Sequence, residues 1–197
     1  IEQAFEQTSK WNYVGVVSDG TRVLGLGDIG AHAGMPVMEG KALIFKYLGG
    51  VDAFPICLAT KDPQEIIQAV KWLEPTFGGI NLEDFSKPKC FDILDTLRNE
   101  MPIPVWHDDQ QGTAAVVLAG VINALKVVGK KMSNAKFTLV GSGAANTRSF
   151  YILESAGVNP KNVIIVDSRG TLHHNRGDLK GTYKWPMTLK TNPDGIE

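Results

Sequence analysis

Short β-rich apolar runs alternate with helical patterns along this chain, and that alternation constrains its fold more than any other feature. Such alternation is the mark of βαβ units and a parallel sheet. The runs predict strands at Tyr13–Val17, Arg22–Leu26, Phe54–Ala59, Phe77–Leu82, Ile103–Trp106, Lys136–Val140 and Val163–Asp167. Helices are expected at about Pro36–Tyr47, Pro63–Leu73, Pro88–Met101, Thr113–Val128 and Ala144–Ala156. Pro36, Pro63 and Pro88 stand where a helix begins, a place that tolerates a missing N–H, and Gly49, Gly129 and Gly157 serve as C-terminal caps. The polar turn Gly129–Ser133 predicts a boundary between domains 1–130 and 131–197. Beyond Gly170 apolar periodicity fails, which predicts loop or disorder. The fold class is α/β, a parallel-sheet domain followed by an incomplete Rossmann-type domain of about one βαβ unit, where a full one needs two halves.

Glu83 and Asp84 follow one predicted strand, and Asp108 and Asp109 follow another. In a parallel sheet, the C-terminal ends of strands are where ligand sites are built. Glu83, Asp84 and Asp109 form a candidate set of three carboxylates for one hard divalent cation, Mg²⁺ or Mn²⁺. The competing reading is that such residues are solvated turns or caps, Asp109 capping the helix that starts near Gly112.

Two glycine motifs compete for a nucleotide. Gly25, Gly27 and Gly30 spell G-x-G-x-x-G, yet Gly34 and Pro36 delay the expected helix and the next strand ends in Ala59, Thr60 and Lys61. These glycines read instead as tight turns beside a substrate pocket. The second motif, Gly141, Ser142, Gly143, Ala144 and Ala145, follows a strand and opens a helix, with Asp167 ending the next strand. Backbone N–H groups there would face a pyrophosphate, and Asp167 would accept the ribose hydroxyls. Asn146, in place of a third glycine, implies wider helix–sheet packing or a side chain reaching toward the nucleotide. Asp167 favours NAD, whereas Arg169 can neutralise the 2′-phosphate of NADP, so both cofactors stay open.

The balance of 20 basic against 21 acidic residues gives no electrostatic case for nucleic acid or an anionic membrane, and points to a small-molecule partner. No apolar run is long enough to span a bilayer. Cys57 and Cys90 lack metal-like spacing and sit among apolar neighbours, so buried reduced thiols and a cytoplasmic location are expected. The start at Ile1 rather than Met reads as a piece of a longer or processed protein.

SDGTRVLGLGDIG at Ser18–Gly30, MPVMEGKALIFK at Met35–Lys46, FGGINLED at Phe77–Asp84, HDDQQGTA at His107–Ala114 and GSGAA at Gly141–Ala145 together resemble the malic enzymes, most closely the compact bacterial and archaeal type. The resemblance implies oxidative decarboxylation of malate to pyruvate and CO₂ with reduction of NAD(P). It makes Glu83, Asp84 and Asp109 the metal ligands, Lys41 the general base, Asp108 the acid that orients it, and Arg22 the grip on a substrate carboxylate. Gly141 and Ser142–Ala145 fall in its dinucleotide loop. A base in that role needs a lysine whose pKa is pulled toward neutrality. The family's C3 proton donor, a tyrosine upstream of the SDG motif, has no match here, and Tyr13 lies inside a predicted strand. The resemblance further implies a homodimer or larger assembly. A malolactic or oxaloacetate-decarboxylating relative, or a catalytically incomplete metal-binding piece, are the alternatives. Read without the resemblance, Lys41 is a solvated helix lysine, Arg22 pairs with Asp19, His107 is a satisfied strand-end histidine, His173 and His174 are solvent-exposed, and Trp72, Trp106 and Phe77 are core.

Overall fold

The computed structural model describes residues Ile1–Ile196. They divide into two compact units, Ile1–Asp108 and the residues from Asp109 onward. In the first, β1 (Tyr13–Ser18), β2 (Asp52–Cys57), β3 (Gly79–Leu82) and β4 (Val105–His107) form a parallel sheet in the order β2-β1-β3-β4. β1 is followed by β2 on one side, and β3 lies on its other side. The winding therefore reverses beside β1, and at such a reversal the strand ends open a crevice. Val17 stands opposite Leu82, and Leu82 opposite His107. The residues that come next, Ser18, Glu83 and Asp108, thus leave the sheet at one level.

Helices α1 (Glu2–Gln7), α2 (Gly30–Gly49), α3 (Pro63–Leu73) and α4 (Lys89–Glu100) complete this unit. α3 starts where Asp62 accepts hydrogen bonds from the Gln64 and Glu65 amides at 2.8 and 3.0 Å, with Pro63 in the first turn. Its apolar face is Ile66, Ile67 and Val70. α4 buries Cys90, Phe91, Ile93, Leu94 and Leu97 at helical spacing. Fully burying an aliphatic side chain of this kind stabilises the fold by roughly 1.5–3 kcal/mol. Lys10 is 3% exposed and donates to the carbonyl of Phe77 at 2.7 Å, tying the N-terminal segment to the start of β3.

Several expectations are corrected here. Arg22–Leu26 is no strand: Gly25 and Gly27 take φ of 81° and 79°, left-handed values that an extended chain does not use, and only one bridge, Val23 to Gly27, forms. α2 begins at Gly30 and runs through Pro36, which interrupts one backbone hydrogen bond without ending the helix. The left-handed cap after α2 is Gly50 rather than Gly49. Trp72 is 74% exposed because it lies off the Ile66/Val70 face of α3. Trp106 is 42% exposed because strand alternation buries its neighbours Val105 and His107 instead. Phe77 is core as expected. Both cysteines are free, but only Cys90 is fully buried.

The second unit contains α5 (Thr113–Val127), β5 (Phe137–Val140), α6 (Ala144–Ser155), β6 (Val163–Asp167), β7 (Gly170–Thr171) and α7 (Trp185–Thr188). β5 and β6 are parallel, the start of a Rossmann-type sheet, and β7 pairs antiparallel to β6. The units divide ahead of the turn at Gly129–Ser133, since α5 packs on α6 and its Leu118 and Val121 join the second core. The tail beyond Gly170 is largely irregular, as expected, with only short helical pieces at Gly177–Leu179 and Trp185–Thr188, but it is packed against the core rather than disordered. Leu172, Leu179 and Met187 pack into the core with Phe150, Leu153 and Ile165. His173 is 7% exposed and so belongs to this packed tail, while His174 is exposed. No described helix is long and apolar enough to cross a membrane.

Candidate active site

Glu83, Asp84 and Asp108 follow the C-terminal ends of β3 and β4 in the first unit. Glu83 and Asp84 are 5% and 3% exposed, and each offers a carboxylate oxygen within 4.8 Å of the other. Asn81 donates to Glu83 Oε2 at 2.8 Å. Lys41, carried by α2, reaches between two carboxylates, with Nζ 2.8 Å from Asp108 Oδ2 and 3.3 Å from Glu83 Oε1. It is therefore not a freely solvated helix lysine. Burial alone would lower its proton affinity, but the hydrogen bond to Asp108 and the nearby Glu83 outweigh it and hold the ammonium above the ordinary lysine range. The carboxylates thus move Lys41 the opposite way from the shift expected of a base.

Buried carboxylates side by side call for positive charge, and their hard oxygen donors suit Mg²⁺ or Mn²⁺ better than a soft metal. Asp109 follows Asp108 by one peptide bond. It begins the second unit, in a π turn over Asp108–Gly112 from which α5 continues. His107 is fully buried with its ring edge against Phe85.

The Ser18–Arg22 turn lies at the end of β1. Gly20 has φ 67°, and a Cβ there would stand 2.2 Å from the Gly30 carbonyl oxygen, so only glycine fits. Asp19 does not pair with Arg22: its carboxylate, 1% exposed, is engaged by Lys89 and by Thr21. Arg22 has an exposed side chain, and its backbone N–H donates to the Asp84 carbonyl at 2.9 Å. Sequence reasoning passed over Lys89 and Thr21. The signal available was the Asp-x-Thr spacing, typical of side chains that close a turn on themselves.

In the second unit Gly141 has φ 95°, and Gly143 is the N-cap of α6, whose first turn no side chain caps, which leaves its amides suited to an anion. Ser142 is buried, while Gly143, Ala144 and Ala145 are partly exposed. The Asn146 side chain turns back onto its own loop rather than toward a nucleotide: its amide donates to the carbonyls of Val140 and Gly141, both at 2.9 Å. Tyr183 donates to the Ser142 carbonyl at 2.6 Å.

Asp167 ends β6 as expected, but two cations share its carboxylate, Arg176 at 2.9 Å and Lys184 at 2.6 Å. Arg169 lies beside it, largely exposed. Burial works to raise the Asp167 pKa, yet the hydrogen bonds from Lys184 and Arg176 prevail and hold it far below the usual carboxylate range. A depressed folded-state pKa contributes stability that is present above the unfolded value near 3.9 and lost as pH falls below it. Acid titration of Asp167→Asn is expected to show a lower plateau at neutral pH and a shallower loss below about pH 4 than the parent. An unchanged acid limb would show that the Asp167 ion pairs do not stabilise the tail.

Comparison with known proteins adds an independent line. The family described as "Malic enzyme, N-terminal domain" matches residues 1–65 and 60–98, and "Malic enzyme, NAD binding domain" matches 110–192. An NAD-dependent malic enzyme of Geobacillus stearothermophilus is 55% identical over 99% of this chain and 40% of its own length. A bifunctional malic/malolactic enzyme of Bacillus subtilis is 48% identical over 98% of this chain and 47% of its own. The crystal structure of a malic enzyme from Pyrococcus horikoshii superposes with a TM-score of 0.93 at 54% identity, covering 99% of this chain and 46% of that one. The chain thus spans about half the length of these relatives or less.

Proposed function

We propose that this chain, which belongs to the malic enzyme family, carries the base, the metal ligands and the start of the dinucleotide site of an enzyme that converts malate to pyruvate and CO₂ while reducing NAD(P). The observation that carries the reading is Lys41 lodged between Glu83 and Asp108, beside Asp84, where β3 and β4 end. In this reading Glu83, Asp84 and Asp109 hold a divalent cation, and the loop Gly141–Ala145 takes the pyrophosphate. When bound, the cation supplies Lewis-acid stabilisation at the substrate C2 oxygen and opposes the carboxylates that keep Lys41 charged, and NAD(P) accepts the hydride.

Each residue then has one task. Lys41, as the neutral amine, would take the proton of the C2 hydroxyl and so prepare the C2–H bond to break once a hydride acceptor is bound. Asp108 fixes the direction of the amine through the 2.8 Å hydrogen bond. The exposed guanidinium of Arg22 grips a carboxylate of malate, which orients C2 toward Lys41. Loss of CO₂ from the β-keto acid leaves the bond electrons delocalised toward the C2 oxygen, and a proton delivered to C3 completes pyruvate, a step that the family assigns to a tyrosine upstream of the SDG motif and to none of the residues named here. In the second unit Asp167 meets the ribose end of the cofactor while shared by Arg176 and Lys184, and with Arg169 nearby this cationic surrounding suits a 2′-phosphate as well as a free hydroxyl.

The test is malate turnover by the full-length protein with Mn²⁺, with and without a chelator. Equal amounts of NAD(P)H and pyruvate that vanish with chelator are expected. Lactate without net NAD(P)H would favour the malolactic course, and chelator-insensitive turnover would overturn the metal assignment.

A further inference from the structure

We infer that Thr21, with Asp19 and Lys89 behind it, is a positioning residue for Asp84; the inference rests on the reading of Asp84 as a metal ligand. Asp84 has φ 58°, a left-handed conformation unusual for a residue with a side chain. Such a conformation persists only where its surroundings over-determine it. Here they do so on both sides of the residue. The Glu83 amide donates to the Val17 carbonyl at 2.9 Å, and the Asp84 carbonyl accepts from the Arg22 amide at 2.9 Å. Two residues on, the Ser86 amide donates to Thr21 Oγ1 at 3.0 Å.

The Thr21 hydroxyl is itself aimed. It donates to Asp19 Oδ1 at 2.6 Å, and the Thr21 amide donates to the same oxygen at 3.0 Å. With its proton committed to Asp19, the hydroxyl oxygen is left to accept from Ser86. Asp19 in turn is fixed through Oδ2 by Lys89 in the first turn of α4, and Lys89 also donates to the Lys61 carbonyl at 3.1 Å. Asp19 is 1% and Thr21 7% exposed, so water does not compete for these bonds. The Ser18–Arg22 turn is therefore a brace: one end of it carries the proposed carboxylate grip, and its middle holds the backbone that aims Asp84. Partners of this kind behind a ligand typically control metal affinity by about 10–100-fold.

Mn²⁺ titration of the full-length protein, read by the electron paramagnetic resonance of free and bound ion, tests the brace without turnover. Thr21→Val, of the same shape but without the hydroxyl, is expected to weaken Mn²⁺ binding by about 10–100-fold. Thr21→Ser restores most of the affinity. Lys89→Gln, which keeps the Thr21 bonds but releases Asp19 Oδ2 and the Lys61 carbonyl, gives a smaller loss in the same direction and serves if Thr21→Val fails to fold. Hydrogen exchange at the Ser86 amide quickens in Thr21→Val even before metal is added. Parent-like Mn²⁺ affinity in folded Thr21→Val, or in Lys89→Gln where that variant has to serve, overturns the brace alone. A parent protein that does not bind Mn²⁺, with Asp84→Asn no different, overturns the metal reading and the brace with it.

Discussion

Lys41→Ala in the full-length protein is expected to lower malate-dependent NAD(P) reduction by about 10²–10⁴-fold, the usual contribution of a positioned general base. The same variant should bind Mn²⁺ as tightly as the parent or more tightly. Removing the ammonium 3.3 Å from Glu83 takes away a positive charge that competes for that carboxylate. That split, with turnover falling while affinity holds, separates a proton acceptor from a residue that merely shapes the metal site. Lys41→Arg sharpens the comparison. An arginine keeps the charge and can still meet Asp108 and Glu83, but a guanidinium does not give up its proton in proteins. It should be nearly as inactive as alanine. Substantial turnover by the arginine variant would show that the cation at this position orients substrate and does not accept a proton.

How far the sequence disclosed this arrangement follows from which forces leave a local pattern. β6 and α3 were legible to the residue because each buries one face and burial imposes a period, and α5 and α6 to within one because the glycines Gly129 and Gly157 stand just beyond their ends. The acidic pairs at the ends of β3 and β4 were legible because an abrupt change from apolar to acidic marks a strand end. The Arg22–Leu26 run misled because its residues are apolar, while Gly25 and Gly27 turn the backbone away from extension. Trp72 and Trp106 misled because large rings were ranked by type, whereas their positions on α3 and β4 put them on the outward side.

The tail after Gly170 was invisible for a different reason. It is ordered partly by Leu172, Leu179 and Met187, which follow no period, and partly by Arg176 and Lys184 closing on Asp167 from 9 and 17 positions away. Ion pairs between distant positions leave no signature along a chain. The same holds for the contact of Lys89 with Asp19, 70 positions apart. What local pattern predicts well is therefore the level at which the carboxylates emerge. What it predicts poorly is the set of cations and hydroxyls that hold them in place.

Asp84→Asn is expected to weaken Mn²⁺ binding by more than about 100-fold, since even partners behind a ligand typically account for 10–100-fold. Asparagine is the informative choice because it tolerates the left-handed backbone as aspartate does, so the φ of 58° at this position survives the change. Alanine there would confound lost charge with backbone strain. The Glu83 and Asp84 carboxylates lie within 4.8 Å of each other, and when both are ionised they repel by roughly 3.5 kcal/mol or more at an effective dielectric near 20. Lys41 offsets part of this at Glu83. A divalent ion gains from both charges at once, so neutralising either carboxylate removes much of its hold. The parent at Mn²⁺ of about 100 times its Kd gains roughly 2.7 kcal/mol against unfolding. At that same concentration Asp84→Asn should gain little, and Asp109→Asn should behave alike if it supplies the third ligand. Mn²⁺-dependent stabilisation that persists in Asp84→Asn at parent concentrations would place the cation elsewhere and overturn the reading of Asp84 as a ligand.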